Sequence, residues 1–70
     1  MAIIFTIHAE ERLVKRKITK QEIIDSITYP DLTLKKHEKY YFQKQLERGK
    51  IEIVCEQIES NLKVITFYWI

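Results

Sequence analysis

Three residues that could act together on a phosphate lie near the start of this 70-residue chain: His8, Arg12 and Arg16. Positions four apart share one side of an α-helix, so these side chains would form a single stripe. Histidine titrates near neutral pH and can take or give a proton, and arginine can grip two phosphate oxygens at once. These residue types suit metal-independent RNA cleavage, in which a base removes the 2′-hydroxyl proton, cations neutralise the phosphate and an acid protonates the 5′-oxygen.

The same stripe is also typical of an ordinary solvated helix face, with Glu11, Lys15 and Glu22 near enough to form ion pairs with it. The aromatic run 40–42 is ambiguous in the same way. It could pack within a sheet, or it could form an exposed platform on which unpaired bases stack. Residue spacing alone leaves both interpretations open.

Other kinds of chemistry find little support in the sequence. The histidines, His8 and His37, have no spaced acidic or cysteine partner of a recognised metal-binding type, and one glycine cannot form a phosphate loop. The two serines lack the strained elbow of a hydrolase nucleophile. The single cysteine, Cys55, lies in an apolar run and is predicted to be a buried thiol. We therefore expect neither a metal nor a cofactor.

Composition is that of one small globular domain spanning residues 1–70. The chain has twelve Lys and Arg against ten Asp and Glu, so an anionic partner such as RNA would have to bind a local basic patch. The opening "MAIIF" is too short for a secretion signal, and no apolar run is long enough for a membrane helix. We expect a soluble cytoplasmic protein without a membrane partner.

Two helices are predicted in the first half of the chain. Apolar periodicity indicates a first helix over 8–17. Within "ITKQEI", residues 18–23, Thr19 and Glu22 have the spacing of a capping box, and the flanking isoleucines have the spacing of a hydrophobic staple. A second helix therefore begins directly after Thr19 and ends before Pro30.

Alternating and β-branched residues after the proline predict four antiparallel strands, over about 31–36, 40–46, 51–58 and 62–70. The opening "MAIIFTI" is either a short strand or an arm. The fold class is thus α+β, with two N-terminal helices on one face of a roughly four-stranded antiparallel meander sheet. The very apolar closing "VITFYWI" indicates a central strand or a strand that pairs across a dimer, so monomer and homodimer both stay open; we favour the central position.

The segment "HAEERLVKRKITKQEIIDSITYPD" resembles the signature of a family of small prokaryotic domains of unknown function. Their pattern runs His-Ala-x-x-Arg, then a second Arg, a capped second helix and a Pro-Asp turn, and the closing "VITFYW" resembles the family's terminal strand. That family is grouped with the RelE-like and barnase-like toxin ribonucleases. The usual glycine after the second arginine is Lys17 here, which could lengthen the first helix slightly.

The resemblance implies a toxin-like, metal-independent endoribonuclease acting on single-stranded RNA, with RNA, in some cases on the ribosome, and an antitoxin protein as partners. It implies that His8, Arg12 and Arg16 are catalytic, with Tyr68 beside them. The expected RNA-binding residues are Lys44, Tyr41 and Thr66. The alternative is a non-catalytic module of the same fold that binds RNA or protein through the same basic groove.

Overall fold

The computed structural model describes residues 2–70. The elements, in chain order, are β1 (Ile3–Phe5), α1 (Ile7–Arg16), α2 (Lys20–Thr28), β2 (Leu32–Lys36), β3 (Lys39–Leu46), β4 (Gly49–Ile58) and β5 (Asn61–Trp69). Both predicted helices and all four predicted strands are present, and the opening segment forms a strand. The α+β fold class is confirmed.

The sheet has five strands, in the order β1-β5-β4-β3-β2. Strands β2 to β5 form the predicted antiparallel meander, but β1 pairs in parallel with β5, where Ile3 lies opposite Leu62 and Phe5 opposite Val64. The predicted meander of roughly four antiparallel strands is therefore matched in part, because the sheet has a fifth strand, β1, and that strand pairs in parallel. Because β5 lies between β1 and β4, it is an internal strand of the sheet, the position that the sequence favoured.

Helix α1 is joined to the sheet by its N-cap, Thr6. The Thr6 hydroxyl oxygen accepts a hydrogen bond from the Ala9 N–H at 3.0 Å, and its proton is donated to the Val64 carbonyl at 3.0 Å. The Thr6 N–H also donates to the Val64 carbonyl, at 3.3 Å. One side chain thus satisfies a free N–H group at the helix start and attaches α1 to β5.

The end of α1 differs from the expectation based on Lys17. Lys17 adopts the left-handed conformation, with φ 54° and ψ 49°, and its N–H bonds to the carbonyls of Leu13 and Val14. The helix stops at Arg16 and is not lengthened. A lysine therefore occupies the backbone conformation that glycine adopts without strain.

Helix α2 begins as predicted. The Thr19 hydroxyl accepts from the Glu22 N–H at 3.1 Å, and the Glu22 carboxylate accepts from the Thr19 N–H at 3.0 Å, which completes the capping box. Ile18 and Ile23, which have staple spacing, are both buried. This junction turns the chain so that both helices cover one face of the sheet.

The core lies between the helices and that face. Its buried residues come from both helices, their junction and strands β3, β4 and β5: Ala9, Ile18, Ile23, Ile27, Phe42, Ile51, Ile53, Cys55, Leu62, Val64 and Phe67. Cys55 is fully buried, as predicted. Because side chains alternate along a strand, the residues between these core positions lie on the other face of the sheet, which we call the open face.

Candidate functional site

Helix α1 lies against the part of β5 that β1 leaves unpaired. Strand β1 pairs with β5 only as far as Val64. Beyond that point the Arg16 Nε group donates to the Phe67 carbonyl at 3.0 Å. The helix thus takes the place of a neighbouring strand, and the stripe formed by His8, Arg12 and Arg16 lies at the border between the helix layer and the open face.

His8 meets two groups at this border. Its Nε2 atom is 3.3 Å from Arg12 Nε and 3.5 Å from the hydroxyl of Thr66 on β5. A guanidinium N–H can only donate, so His8 Nε2 is the acceptor in its contact with Arg12. The His8 side chain belongs to a solvent-exposed residue, so a ligand could reach this border and compete with Arg12 for the Nε2 lone pair.

The cations of the stripe are not neutralised by carboxylates. Within residues 2–70, neither Arg12 nor Arg16 forms an ion pair; Glu10 pairs with Lys20, and Glu22 pairs with Arg48, each at 2.6 Å. The interpretation of the stripe as an ion-paired helix face is therefore not supported. Two partly buried arginines that form no ion pair within residues 2–70 leave a local positive potential suited to binding phosphate.

The open face carries two straight rows of side chains that cross β2, β3, β4 and β5 in register. The first row consists of Leu34, Tyr41, Val54 and Thr66, and the second row of Leu32, Gln43, Glu52 and Tyr68. The first row reaches His8 through Thr66. The structure therefore brings Tyr41, Thr66 and Tyr68 onto one surface with the stripe, as the sequence-based hypothesis requires.

The second row contains a hydrogen-bonded network. The Glu52 carboxylate accepts from Gln43 Nε2 at 2.9 Å and from the Tyr68 hydroxyl. The bond to Glu52, together with partial burial and the Glu52 charge, raises the pKa of Tyr68 to about 12. The Tyr68 phenol is therefore fully protonated at neutral pH.

Glu52 was not among the residues predicted from the sequence. It lies within "IEIVCEQI", whose apolar residues dominate the pattern. The strict alternation of Ile51, Glu52 and Ile53 was the available signal, because two buried isoleucines force the residue between them onto the opposite face.

Lys44 is not brought to this surface. It shares the helix-covered face of β3 with Phe42, which is buried, and its Nζ atom lies 3.5 Å from the Asp31 carboxylate. Lys44 therefore does not share a surface with Tyr41 and Thr66, the other residues predicted to bind RNA, because residues an odd number apart on one strand lie on opposite faces.

Neither a metal cluster nor a membrane span is found in the described part of the chain. Residues 2–70 contain no group of three or more His, Cys, Asp and Glu side chains placed to hold a metal ion. None of the helices in that range has the length and apolar character needed to cross a membrane.

Comparison with known proteins gives one family match. No curated protein matches the chain, and no solved structure does. A family model described as a domain of unknown function, DUF4258, matches residues 5–69, which include every helix and strand from α1 onward and the end of β1. The chain therefore belongs to the DUF4258 family.

Proposed function

We propose that this protein is a metal-independent, toxin-like endoribonuclease of RelE-like type that cleaves single-stranded RNA by attack of a 2′-hydroxyl. One observation carries the proposal: His8 Nε2 lies 3.3 Å from Arg12 Nε and 3.5 Å from the Thr66 hydroxyl, at the end of the open face. A proton acceptor next to an unneutralised guanidinium is the arrangement that this reaction needs at its attacking oxygen.

In the proposed reaction the Arg12 Nε–H leaves His8 Nε2 for the phosphate, and His8 Nε2 then takes the proton of the RNA 2′-hydroxyl. The 2′-oxygen then forms a bond to phosphorus, and the bond to the 5′-oxygen breaks, leaving a 2′,3′-cyclic phosphate. Arg12 and Arg16 bind the non-bridging oxygens, on which negative charge develops. The Tyr68 phenol turns its O–H from Glu52 to the departing 5′-oxygen and gives it the proton.

The spacing along β5 fits these two proton-transfer roles. Thr66, which contacts His8, and Tyr68 are two residues apart on the same face, so their Cα atoms are about 7 Å apart. A phosphate with its attacking and leaving oxygens fits between groups at that separation. Tyr41, in the first row, would stack on an unpaired base beside the cleaved bond, which favours single strands over duplexes.

The test is cleavage of a labelled single-stranded RNA in EDTA. The wild-type protein should generate fragments that end in 2′,3′-cyclic phosphate, and His8→Ala should lower the rate by about a hundredfold or more. Lys15→Ala provides a matched control, because Lys15 is an exposed residue of α1 outside the stripe. Equal rates for wild type and His8→Ala, or no cleavage by either, would remove the catalytic role of His8. Arrested growth on induced expression, relieved by His8→Ala, would support the toxin assignment.

The second candidate is a non-catalytic module that binds RNA through the same surface. It is favoured because both arginine Nε groups already donate hydrogen bonds within the chain. Arg12 Nε donates to His8 and Arg16 Nε donates to the Phe67 carbonyl. In that case the wild-type protein binds RNA without cleaving it, and Arg12→Ala weakens binding and reduces its salt dependence by about one phosphate contact. Filter binding at several salt concentrations, run beside the cleavage assay, separates the two candidates.

A further inference from the structure

Strand β2 forms an open edge of the sheet. It pairs with β3 on one side only, and all five of its residues, Leu32–Lys36, are exposed. The outward N–H and C=O groups of an edge strand can pair with an added strand. This edge is separated from β5, and so from the His8 stripe, by β3 and β4.

Strand β2 presents two exposed leucines on the open face. Leu32 and Leu34, which end the two rows, remain 45% and 47% exposed. Two apolar side chains at alternate positions would therefore be covered by a strand added beside β2. Burial of this surface would favour binding of an extended apolar segment.

A cationic position follows the two leucines. Lys36 is opposite Lys39 on β3, and Lys39 is opposite Glu56 on β4. Glu56 also forms an ion pair with Lys63, at 3.4 Å, so this third row holds three lysines and one carboxylate. Like charges on directly opposite residues are destabilising. An acidic side chain placed beside Lys36 would relieve that repulsion.

We propose that the β2 edge binds an extended segment of another protein, which adds to the sheet as a sixth strand. The segment carries two apolar residues at alternate positions, beside Leu32 and Leu34, and an acidic residue two positions further on, beside Lys36. A second copy of this chain fits less well. Antiparallel pairing of two β2 strands about Leu34 would set Lys36 beside Leu32, and parallel pairing in register would set it beside another Lys36.

The probe is a synthetic peptide with valines at two alternate positions and glutamate at the next alternate position, separated by threonines. Because strand direction is open, the reversed sequence is included. In titrations of the ¹⁵N-labelled full chain, amide shifts should concentrate at residues 32–36. Lys36→Glu should weaken binding of the glutamate peptide by about fivefold or more. The same variant should bind a matched peptide, with lysine in place of glutamate, more tightly than it binds the glutamate peptide.

Lys15→Glu is the control, because it changes the net charge equally on exposed α1 and should alter binding less than twofold. Circular dichroism establishes that each variant is folded.

The proposal is overturned if neither peptide shifts the amide signals of residues 32–36, or if Lys36→Glu and Lys15→Glu bind the glutamate peptide equally. Concentration-dependent dimerisation that Leu34→Ser abolishes would assign the edge to a second copy instead. Shifts at 32–36 with single-stranded RNA but not with peptide would assign it to RNA. RNA cleavage can fail without affecting any of these outcomes.

Discussion

At the scale of single residues, the hydrogen bond from Tyr68 to Glu52 has a measurable consequence. It raises the pKa of Tyr68 to about 12, whereas a phenol in the unfolded chain titrates near 10. A raised pKa means that the fold favours the protonated phenol. This contribution to stability is therefore complete below about pH 10 and is lost as the pH rises toward 12.

The measurement is a spectrophotometric titration of phenolate absorbance. In the wild-type protein the last component should titrate near pH 12 and should be missing in Tyr68→Phe. Glu52→Gln should move that component to lower pH, because the amide removes both the charge and the anionic acceptor. If Glu52→Gln leaves the highest component unchanged, Glu52 does not control the Tyr68 proton.

Cys55 provides a second prediction about a single residue. Its side chain is fully buried, and burial raises the pKa of the thiol to about 12. Since the thiolate is the reactive form, the folded protein should react with a disulfide reagent at pH 8 about a hundredfold more slowly than the denatured protein. The check is the time course with which the reagent's own thiol is released, measured with and without denaturant. Stoichiometric labelling of the folded protein at the denatured rate would contradict the burial of Cys55.

At the scale of elements, the end of α1 is strained in a way that one substitution relieves. Lys17 has φ 54°, a conformation in which a side chain costs about 1 kcal/mol or more relative to glycine. Glycine loses more backbone entropy on folding, which offsets part of this relief of strain, so we expect Lys17→Gly to stabilise the protein by about 0.5–1 kcal/mol and to raise Tm by roughly 2–8 °C.

Thermal unfolding of the two glycine variants of α1 checks this prediction. Lys15→Gly is the matched control, because Lys15 is an exposed residue within the helix, where glycine costs about 1 kcal/mol. The two variants should therefore shift Tm in opposite directions. A fall in Tm for Lys17→Gly would mean that the lysine side chain stabilises this helix end by more than the strain costs.

The accuracy of prediction from sequence depends on how local each interaction is. The capping box of α2 was predicted correctly because Thr19 and Glu22 interact within four residues and need no tertiary contact. Strand β1 has only three residues, and its parallel pairing with β5 joins positions nearly sixty residues apart. No local pattern specifies such a pairing.

The candidate site shows the same limit. Helical spacing correctly placed the stripe on one side of α1, but only the tertiary fold brings His8 to Thr66, fifty-eight positions away. Lys44 and Tyr41 are three positions apart on β3, so alternation along the strand separates them whichever side meets the helices.

At the scale of the whole molecule, two carboxylates connect elements that are distant in sequence. Glu22 caps α2 and also pairs with Arg48 in the β3–β4 turn, at 2.6 Å. Asp31, just before β2, accepts from the Gln45 N–H of β3 at 2.7 Å. The Thr19 N–H is the main reason that the pKa of Glu22 is below its usual range, with a smaller contribution from Arg48. The Gln45 N–H lowers the pKa of Asp31 in the same way, with a smaller contribution from Lys44.

A lowered pKa means that the fold favours the ionised carboxylate. The stabilisation is therefore present above the unfolded values, near pH 4, and is lost as the pH falls through the lower values of the folded state. We expect Tm to decrease between about pH 5 and pH 2.

Glu22→Gln and Asp31→Asn should each lower Tm at pH 7 and should each reduce the dependence of Tm on pH in the acid range. Glu11→Gln, which removes an exposed carboxylate of α1, should do neither. The two sites are on different elements and share no partner, so their effects should add in the double variant. A double variant whose Tm still falls as steeply as that of the wild type would show that acid unfolds the sheet through other carboxylates, and that these two links do not hold its elements together.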